Sequence, residues 1–317
     1  MPENFAAHVG RGLVAPQAYL SSRFIYDERG SRLFQEIMAL EAYYLTRAEY
    51  AILAREAAAL ARRFAGGGRP FELIELGAGD GTKTKLLLRE ALRQNLAFRY
   101  RPVDISADIL RVLGADLRAE LPGLRVEPIA QTYLEALDGL AARRAAADVR
   151  RVVLFLGSNI GNFDLARARA FCRQVVDALR PGDLFLVGVD LRKDPRRILA
   201  AYDDPGGVTA AFNLNLLHRA NRELGADFDV DAWGFYPLYH PESGEVRSYL
   251  FPRSPQRVRI ATAGVDRTFT PEECIHTEVS RKYARAELPS LVGEAPSAIL
   301  EDERGWFADV VWEVGGA

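Results

Sequence analysis

Three glycines crowd into five positions after a short apolar run in "FELIELGAGDGTKTKLLLRE", which spans Phe71 to Glu90. At Gly77, Gly79 and Gly81 no Cβ stands between the backbone and a ligand. Loops of roughly this kind bind dinucleotides, nucleotide phosphates and S-adenosylmethionine (SAM). A dinucleotide fingerprint GxGxxG needs its third small residue at position 82, which is Thr82. A P-loop needs GK[ST] after a longer spacer, and none is present. What remains is E-x-G-x-G-x-G, from Glu75 to Gly81. SAM carries no phosphate to sit on a helix N-terminus; its methionine part and ribose need a close backbone instead. Asp104, at the end of the next strand in "RPVDIS", can accept from both ribose hydroxyls. The bland reading of the same residues is a tight structural turn and a capping aspartate. A second cluster, "LGSNIGNF", suggests a nucleophile elbow, but GxSxG is not satisfied around Ser158. A hydrolase is therefore disfavoured.

The elements that must position these residues alternate. "FELIEL" reads as a strand, "TKTKLLLREALRQN" as a helix, "FRYRPVDIS" as a strand and "ADILRVLGADLRAEL" as a helix. "LRVEPIA" follows as a short strand. "RVVLFLGSN" and "GDLFLVGVDL" are near-continuous apolar runs, as expected for strands buried on both faces. The helix "DLARARAFCRQVVDALR" lies between them. Alternating β and α units imply a parallel, doubly wound sheet. Upstream, "SRLFQEIMAL" and "TRAEYAILAREAAALARRFA" read as helices, with Thr46 and Glu49 as a capping box. After Asp190 come a mostly helical stretch and then hairpin-like strands, with Ser243-Gly244 at a turn. That stretch continues a doubly wound sheet poorly. It reads as a second α+β module inserted before the last strand, "GWFADVVWEV". The expected division is 51–192 with 282–317 as one domain and 1–50 with 193–281 as the other.

With 317 residues, about two domains are expected. The formal net charge is −2 and no long Lys/Arg run occurs, so nucleic acid and anionic membrane surfaces are disfavoured as partners. Cys172 and Cys274 form no CxxC, and the N-terminus has no secretory pattern. A cytoplasmic setting fits both. His8, His218, His240 and His276 lack the close spacing of a zinc site, and no metal is expected.

Several segments point to one family. The glycine turn resembles motif I of SAM-dependent methyltransferases. "FIYDERGSRLFQEIMALEAYYLTRAEYAIL", "IELGAGDGTKTKLLL", "LFLGSNIGNF", "YDDPGGVTAAFNLNLLHRANRELGADF" and "TEVSRKY" together resemble the histidine Nα-methyltransferases of ergothioneine biosynthesis. The matches occur in family order over nearly the whole chain. The resemblance implies a Rossmann-like methyltransferase domain, a second α/β substrate-binding domain, and conversion of L-histidine to hercynine with three SAM molecules and no metal. Carried over by position, it implies a cofactor side of Gly77, Gly79, Gly81, Lys83 and Asp104. It places the amino-acid carboxylate on Tyr43, Asn162 and Tyr202, the amine near Tyr26, Phe34 and Gly157, and the imidazole on Glu278 and Ser280. The strand pattern supports the last pair, because residues two apart share a face. Their bland reading is the polar outer face of an antiparallel strand. Aromatics at helical spacing are usually core, but Tyr26, Phe34 and Tyr43 could also face an amine that becomes a permanent cation.

The chain departs from the family pattern in places. "LEAYYLTR" lacks both prolines, with Leu45 at the second. Thr132 and Tyr133 stand where an Asp and an aromatic often meet the adenine. Asn159 replaces a Thr in "GSNIGN", and Val246 replaces a Met beside the side-chain pocket. A carboxylate held by tyrosines and an amide would leave the developing ammonium without a nearby fixed cation. The expected reaction is SN2 transfer to the neutral amine, with Tyr26 steering protons through water and the chain acting as a monomer. The competing readings are the same transfer to another amino acid, such as an aromatic one, and a non-catalytic SAM-binding module.

Overall fold

The computed structural model describes residues 4–142 and 148–315. The chain divides into two compact units: Met1–Tyr44 with Lys193–Lys282, and Leu45–Arg192 with Tyr283–Ala317. They are called here the hairpin unit and the sheet unit. The first cut falls at Leu45 rather than at 51 because Leu45 already opens a long helix of the sheet unit.

Two helices begin the hairpin unit. α1 (Phe5–Val14) is capped by Asn4, whose side chain accepts from the Ala7 N–H. α2 (Glu28–Ala39) is capped in the same way by Asp27.

The sheet unit then runs through α3 (Leu45–Ala65), β1 (Phe71–Leu76), α4 (Thr84–Arg93), β2 (Phe98–Asp104), α5 (Ala107–Glu120), β3 (Ile129–Ala130), α6 (Tyr133–Ala142), β4 (Arg150–Phe155), α7 (Leu165–Asp177) and β5 (Leu184–Asp190). β1, β4 and β5 are buried along their whole lengths. Their Val/Leu/Ile/Phe-rich sequences suit a sheet covered on both faces. One apolar core gathers Ile74, Leu76, Phe155, Phe171 and Val187. The other gathers Leu53, Phe64, Leu73, Leu88 and Leu154.

The hairpin unit resumes with α8 (Pro195–Ala200), α9 (Val208–Leu224), β6 (Trp233–His240), β7 (Glu245–Pro252), β8 (Gln256–Ile260), β9 (Val265–Phe269) and β10 (Ile275–Arg281). β6, β7 and β10 form a three-stranded antiparallel sheet in the order β10-β7-β6, and β8 pairs with β9 alone. The β6–β7 turn contains Gly244, whose φ of 75° is left-handed and suits glycine. β10 carries an irregularity between His276 and Glu278. Thr277, at that bulge, buries its hydroxyl on Asn213 of α9 at 2.6 Å.

The sheet unit closes with α10 (Pro289–Val292), β11 (Ala298–Glu301) and β12 (Phe307–Glu313). Its seven strands run β11-β12-β5-β4-β1-β2-β3. β1 to β5 are mutually parallel, and β12 is antiparallel to β5. The strand order reverses between β1 and β4, which makes a crevice at their carboxyl ends where ligands bind in such sheets. The short edge strand β11 was not expected; its four residues are only partly buried and carry little pattern. Among the described residues, no helix is long and apolar enough to cross a membrane.

Candidate functional site

At the switch point of the sheet unit the glycine turn leaves β1. Gly77, Gly79 and Gly81 have φ of 78°, 54° and 66°, so each needs the left-handed region. The three clear different spaces. A Cβ on Gly77 would lie 2.7 Å from the Tyr133 hydroxyl, and one on Gly81 would lie 2.6 Å from a Leu113 methyl. A Cβ on Gly79 would meet nothing within 4 Å, so this residue borders open space. Asp104 ends β2 and is held against the turn. One of its oxygens accepts from the Gly79 N–H at 3.3 Å and the other from the Ser106 N–H at 3.0 Å. Each carboxylate oxygen keeps a further lone pair for a ligand hydroxyl. Burial, with the Asp104 carboxylate nearby, raises the Tyr133 phenol and keeps it protonated.

Across the switch point, Gly157 lies two residues beyond the end of β4, with φ of 76°. A Cβ there would sit 3.3 Å from the Lys83 ammonium and 3.6 Å from the Asn159 amide nitrogen. That amide nitrogen also lies 3.3 Å from the position a Gly77 Cβ would take. Gly77, Tyr133, Asn159, Gly157 and Lys83 are therefore one neighbourhood, with Asp104 at its edge. Ser158 adopts φ of 57°, uncommon outside glycine, and its hydroxyl accepts from the buried Asp190 N–H at 3.1 Å. It ties β4 to β5 and is no nucleophile elbow. Asn162 is exposed. Thr132 serves as a helix cap: its hydroxyl donates to Glu135 at 2.8 Å, and its N–H to the same carboxylate at 3.0 Å. Glu75 is also occupied structurally. It accepts from Thr84 at 2.6 Å and from Tyr100, and burial pushes its carboxyl up to about 7.

The residue that sequence reasoning placed elsewhere is Glu49. It does not close a capping box with Thr46. Its side chain is fully buried, its carboxylate accepts from the Gly157 N–H at 2.8 and 2.9 Å, and it pairs with Lys83. Gly188 of β5 makes the room, since a Cβ there would stand 2.0 Å from Glu49 Oε1. Gly188 is opposite Asp309 in the β5–β12 register. Burial, with Glu49 beside it, holds the Asp309 carboxyl well above the usual carboxylate range. Burial alone would depress the Lys83 ammonium, but Glu49, Glu75 and Asp309 together raise it.

The hairpin unit carries the remaining predicted residues. Tyr26 packs edge-on against Phe34 at 5.6 Å, Phe34 against Tyr43 at 6.3 Å, and Tyr43 against Tyr202 at 6.3 Å. Phe212 of α9 supports the row, 5.4 Å from Tyr26 and 5.8 Å from Phe34. Tyr26 is 41% exposed, whereas Tyr43 and Tyr202 are buried; the row thus has one solvent end. Its buried end meets β10. Tyr202 Oη lies 2.8 Å from Ser280 Oγ, and the Lys282 ammonium donates to Tyr202 Oη at 2.5 Å and to Ser280 Oγ at 2.8 Å. Lys282 thus sits on Tyr202, a contact that the sequence reading did not include. Val246 of β7 is buried and stands opposite Ser280 in register. Burial pushes the Glu278 carboxyl up to about 7, with Lys282 drawing it back down.

A doubly wound sheet with a glycine turn after its first strand and an acid at the end of its second has the parts a SAM site needs. The acid can take ribose hydroxyls, and Gly79 gives access. The protein is a SAM-dependent methyltransferase. It belongs to the family described as histidine-specific, SAM-dependent methyltransferases, whose model matches residues 5–314. The chain is 38% identical over 307 residues to the histidine N-alpha-methyltransferase of Mycolicibacterium smegmatis, covering 97% of this chain and 92% of that one. It is 34% identical to the histidine N-alpha-methyltransferase of Mycobacterium tuberculosis, covering 96% and 91%. It is also 29% identical to ergothioneine biosynthesis protein 1 of Schizosaccharomyces pombe, covering 92% of this chain but 38% of that longer protein.

Proposed function

We propose that this enzyme transfers methyl groups from SAM to the α-amine of L-histidine, three in succession, giving hercynine for ergothioneine synthesis. The observation that carries the substrate is the β10 face. Ser280 touches Tyr202 and Lys282 at the end of an aromatic row, and Glu278 lies two residues away on the same strand. A carboxylate and a hydroxyl can serve the two ring nitrogens of an imidazole. We assign Tyr43 and Tyr202 of the hairpin unit to the carboxylate. Tyr26 and Phe34 are assigned to the amine, and Val246 to the side-chain pocket. Asp104, the three turn glycines, Lys83, Tyr133 and Thr132 are assigned to SAM. In this reading the SAM-binding domain is the sheet unit and the substrate-binding domain the hairpin unit.

Bound SAM supplies a methyl group activated by the sulfonium. The protein's contribution is alignment and exclusion of water. A free α-amine has a pKa of about 7.7–8.0, so no strong base is needed to expose its lone pair. Tyr26, half exposed, is placed to pass the released protons to solvent. The aromatic faces favour the growing cation. The test is stoichiometry: about three molecules of S-adenosylhomocysteine released per histidine consumed. Release without loss of histidine would reject the reading.

Glu278 gives a pH prediction. Its carboxyl is raised from an ordinary 4.5 to about 7 by burial, so it becomes a full acceptor only above that pH. The affinity for L-histidine is expected to rise as pH rises through about 7, and Glu278→Gln to lose this component. A titration that follows histidine binding by calorimetry checks it; an identical profile in the variant contradicts it. Without ligand, the same shift means that this group's contribution to stability is fully present below pH 4.5 and is lost as pH rises through about 7.

A further inference from the structure

We infer that Glu49 and Asp309 act as one carboxyl pair holding a single proton, and that this pair positions the Lys83 ammonium for SAM. This rests on the proposed assignment of Lys83 to SAM, where an ammonium suits the carboxylate of the methionine part. All three side chains belong to the sheet unit: Glu49 on α3, Lys83 just before α4 and Asp309 on β12.

Strand register brings the two carboxyls to one face. Asp309 stands opposite Gly188, and directly opposite residues of an antiparallel pair share a face. The place a Gly188 Cβ would take is filled by Glu49 Oε1. β5 thus gives up a side chain here and lets the carboxyl of α3 meet that of β12. Their hydrogen bonds are unequal. Glu49 accepts from the Gly157 N–H at 2.8 and 2.9 Å and from Lys83. Among the described residues no N–H group or hydroxyl reaches either Asp309 oxygen, although the side chain is fully buried. Two carboxyls sharing a buried site keep one proton between them. Asp309 holds that proton and donates it to Glu49, and burial beside Glu49 favours this form. The pair then carries one negative charge, matching the one charge of Lys83. Glu75 also feels Lys83, but its oxygens are taken by Thr84 and Tyr100. An ammonium has three donors. Glu49 uses one, and the Lys83 side chain remains 20% exposed, so the others can serve a ligand. Glu49 and Asp309 are thus positioning residues that act on SAM through Lys83.

The test is a double-substitution cycle read with two ligands by calorimetry. S-adenosylhomocysteine carries the amino-acid part of SAM; 5′-methylthioadenosine lacks it and keeps the adenosine. In Glu49→Gln or Asp309→Asn alone, an amide replaces one carboxyl and donates to the other, which takes over the charge. Each is expected to raise the Kd for S-adenosylhomocysteine about threefold. The double variant leaves Lys83 buried without this anion, to lose its proton or swing out of place. Its Kd is expected to rise about 100-fold, where independent residues would give about tenfold. The Kd for 5′-methylthioadenosine should stay within about threefold in all three variants. Losses that simply multiply, equal losses for both ligands, or tighter binding of S-adenosylhomocysteine by the double variant would overturn the inference. Should the double variant fail to fold, adding Lys83→Met decides, since it removes the charge left bare. Recovery of the fold supports the shared charge, and no recovery overturns it. Lys83→Met alone tests the underlying assignment. Equal effects on both ligands would reject Lys83 as a SAM residue and the positioning role with it, whereas a selective effect beside losses that multiply would overturn the pair alone.

Discussion

Replacing Glu49 by alanine is expected to destabilise the protein by about 3–5 kcal/mol, the usual cost of removing one partner from a buried ion pair. Glu49 is fully buried and paired with Lys83. Its loss leaves an ammonium with less compensation, and it leaves the Gly157 N–H without its 2.8 and 2.9 Å acceptors. An unsatisfied buried donor adds about 1–3 kcal/mol, although the two terms share atoms and do not simply add. Asp309 can recover part of the loss by ionising, since Glu49 contributes to holding its carboxyl up. Glu49→Gln keeps an acceptor for Gly157 and removes only the charge, so its cost should be clearly smaller. Chemical denaturation of both variants checks the order. A loss below about 1 kcal/mol for Glu49→Ala would mean that the pair is not a structural keystone of the sheet unit.

The second large effect is on SAM. Asp104→Ala is expected to weaken SAM binding about 100-fold, as follows from losing charge-assisted hydrogen bonds worth about 1.5–3 kcal/mol each. The fold should survive. The variant gives up one long bond from the Gly79 N–H at 3.3 Å and one from the Ser106 N–H at 3.0 Å, both on backbone near the surface. Direct calorimetric titration with SAM measures the effect. A change of less than about threefold would remove Asp104 from the ribose.

The parts of this molecule that were readable from sequence share one property: their cause is local. The near-continuous apolar runs of β4 and β5 report burial on both faces, and the glycines at 77, 79 and 81 report backbone torsions. Glu49 shows the opposite case. Thr46-x-x-Glu49 satisfies the pattern of a capping box, and nothing nearby in sequence argues otherwise. Its true partners, Gly157, Lys83 and the space above Gly188, come from other elements of the sheet. Thr132 is the converse: aligned with the cofactor by resemblance, it makes a capping box with Glu135. Lys282 stands in plain view in "TEVSRKY", but its hydrogen bond to Tyr202, eighty residues earlier in the chain, is not legible there. β11 is an edge strand of four partly buried residues, too short for periodicity to register.

The central claim is tested most directly by mass spectrometry of the products formed from SAM and a panel of free amino acids, including histidine, tryptophan, tyrosine and phenylalanine. The account predicts that histidine alone gains methyl groups, ending at the trimethylated Nα product. Trimethylation of a different amino acid with histidine untouched would contradict the assignment of Glu278 and Ser280. SAM binding with no amino acid methylated would contradict the proposed reaction itself.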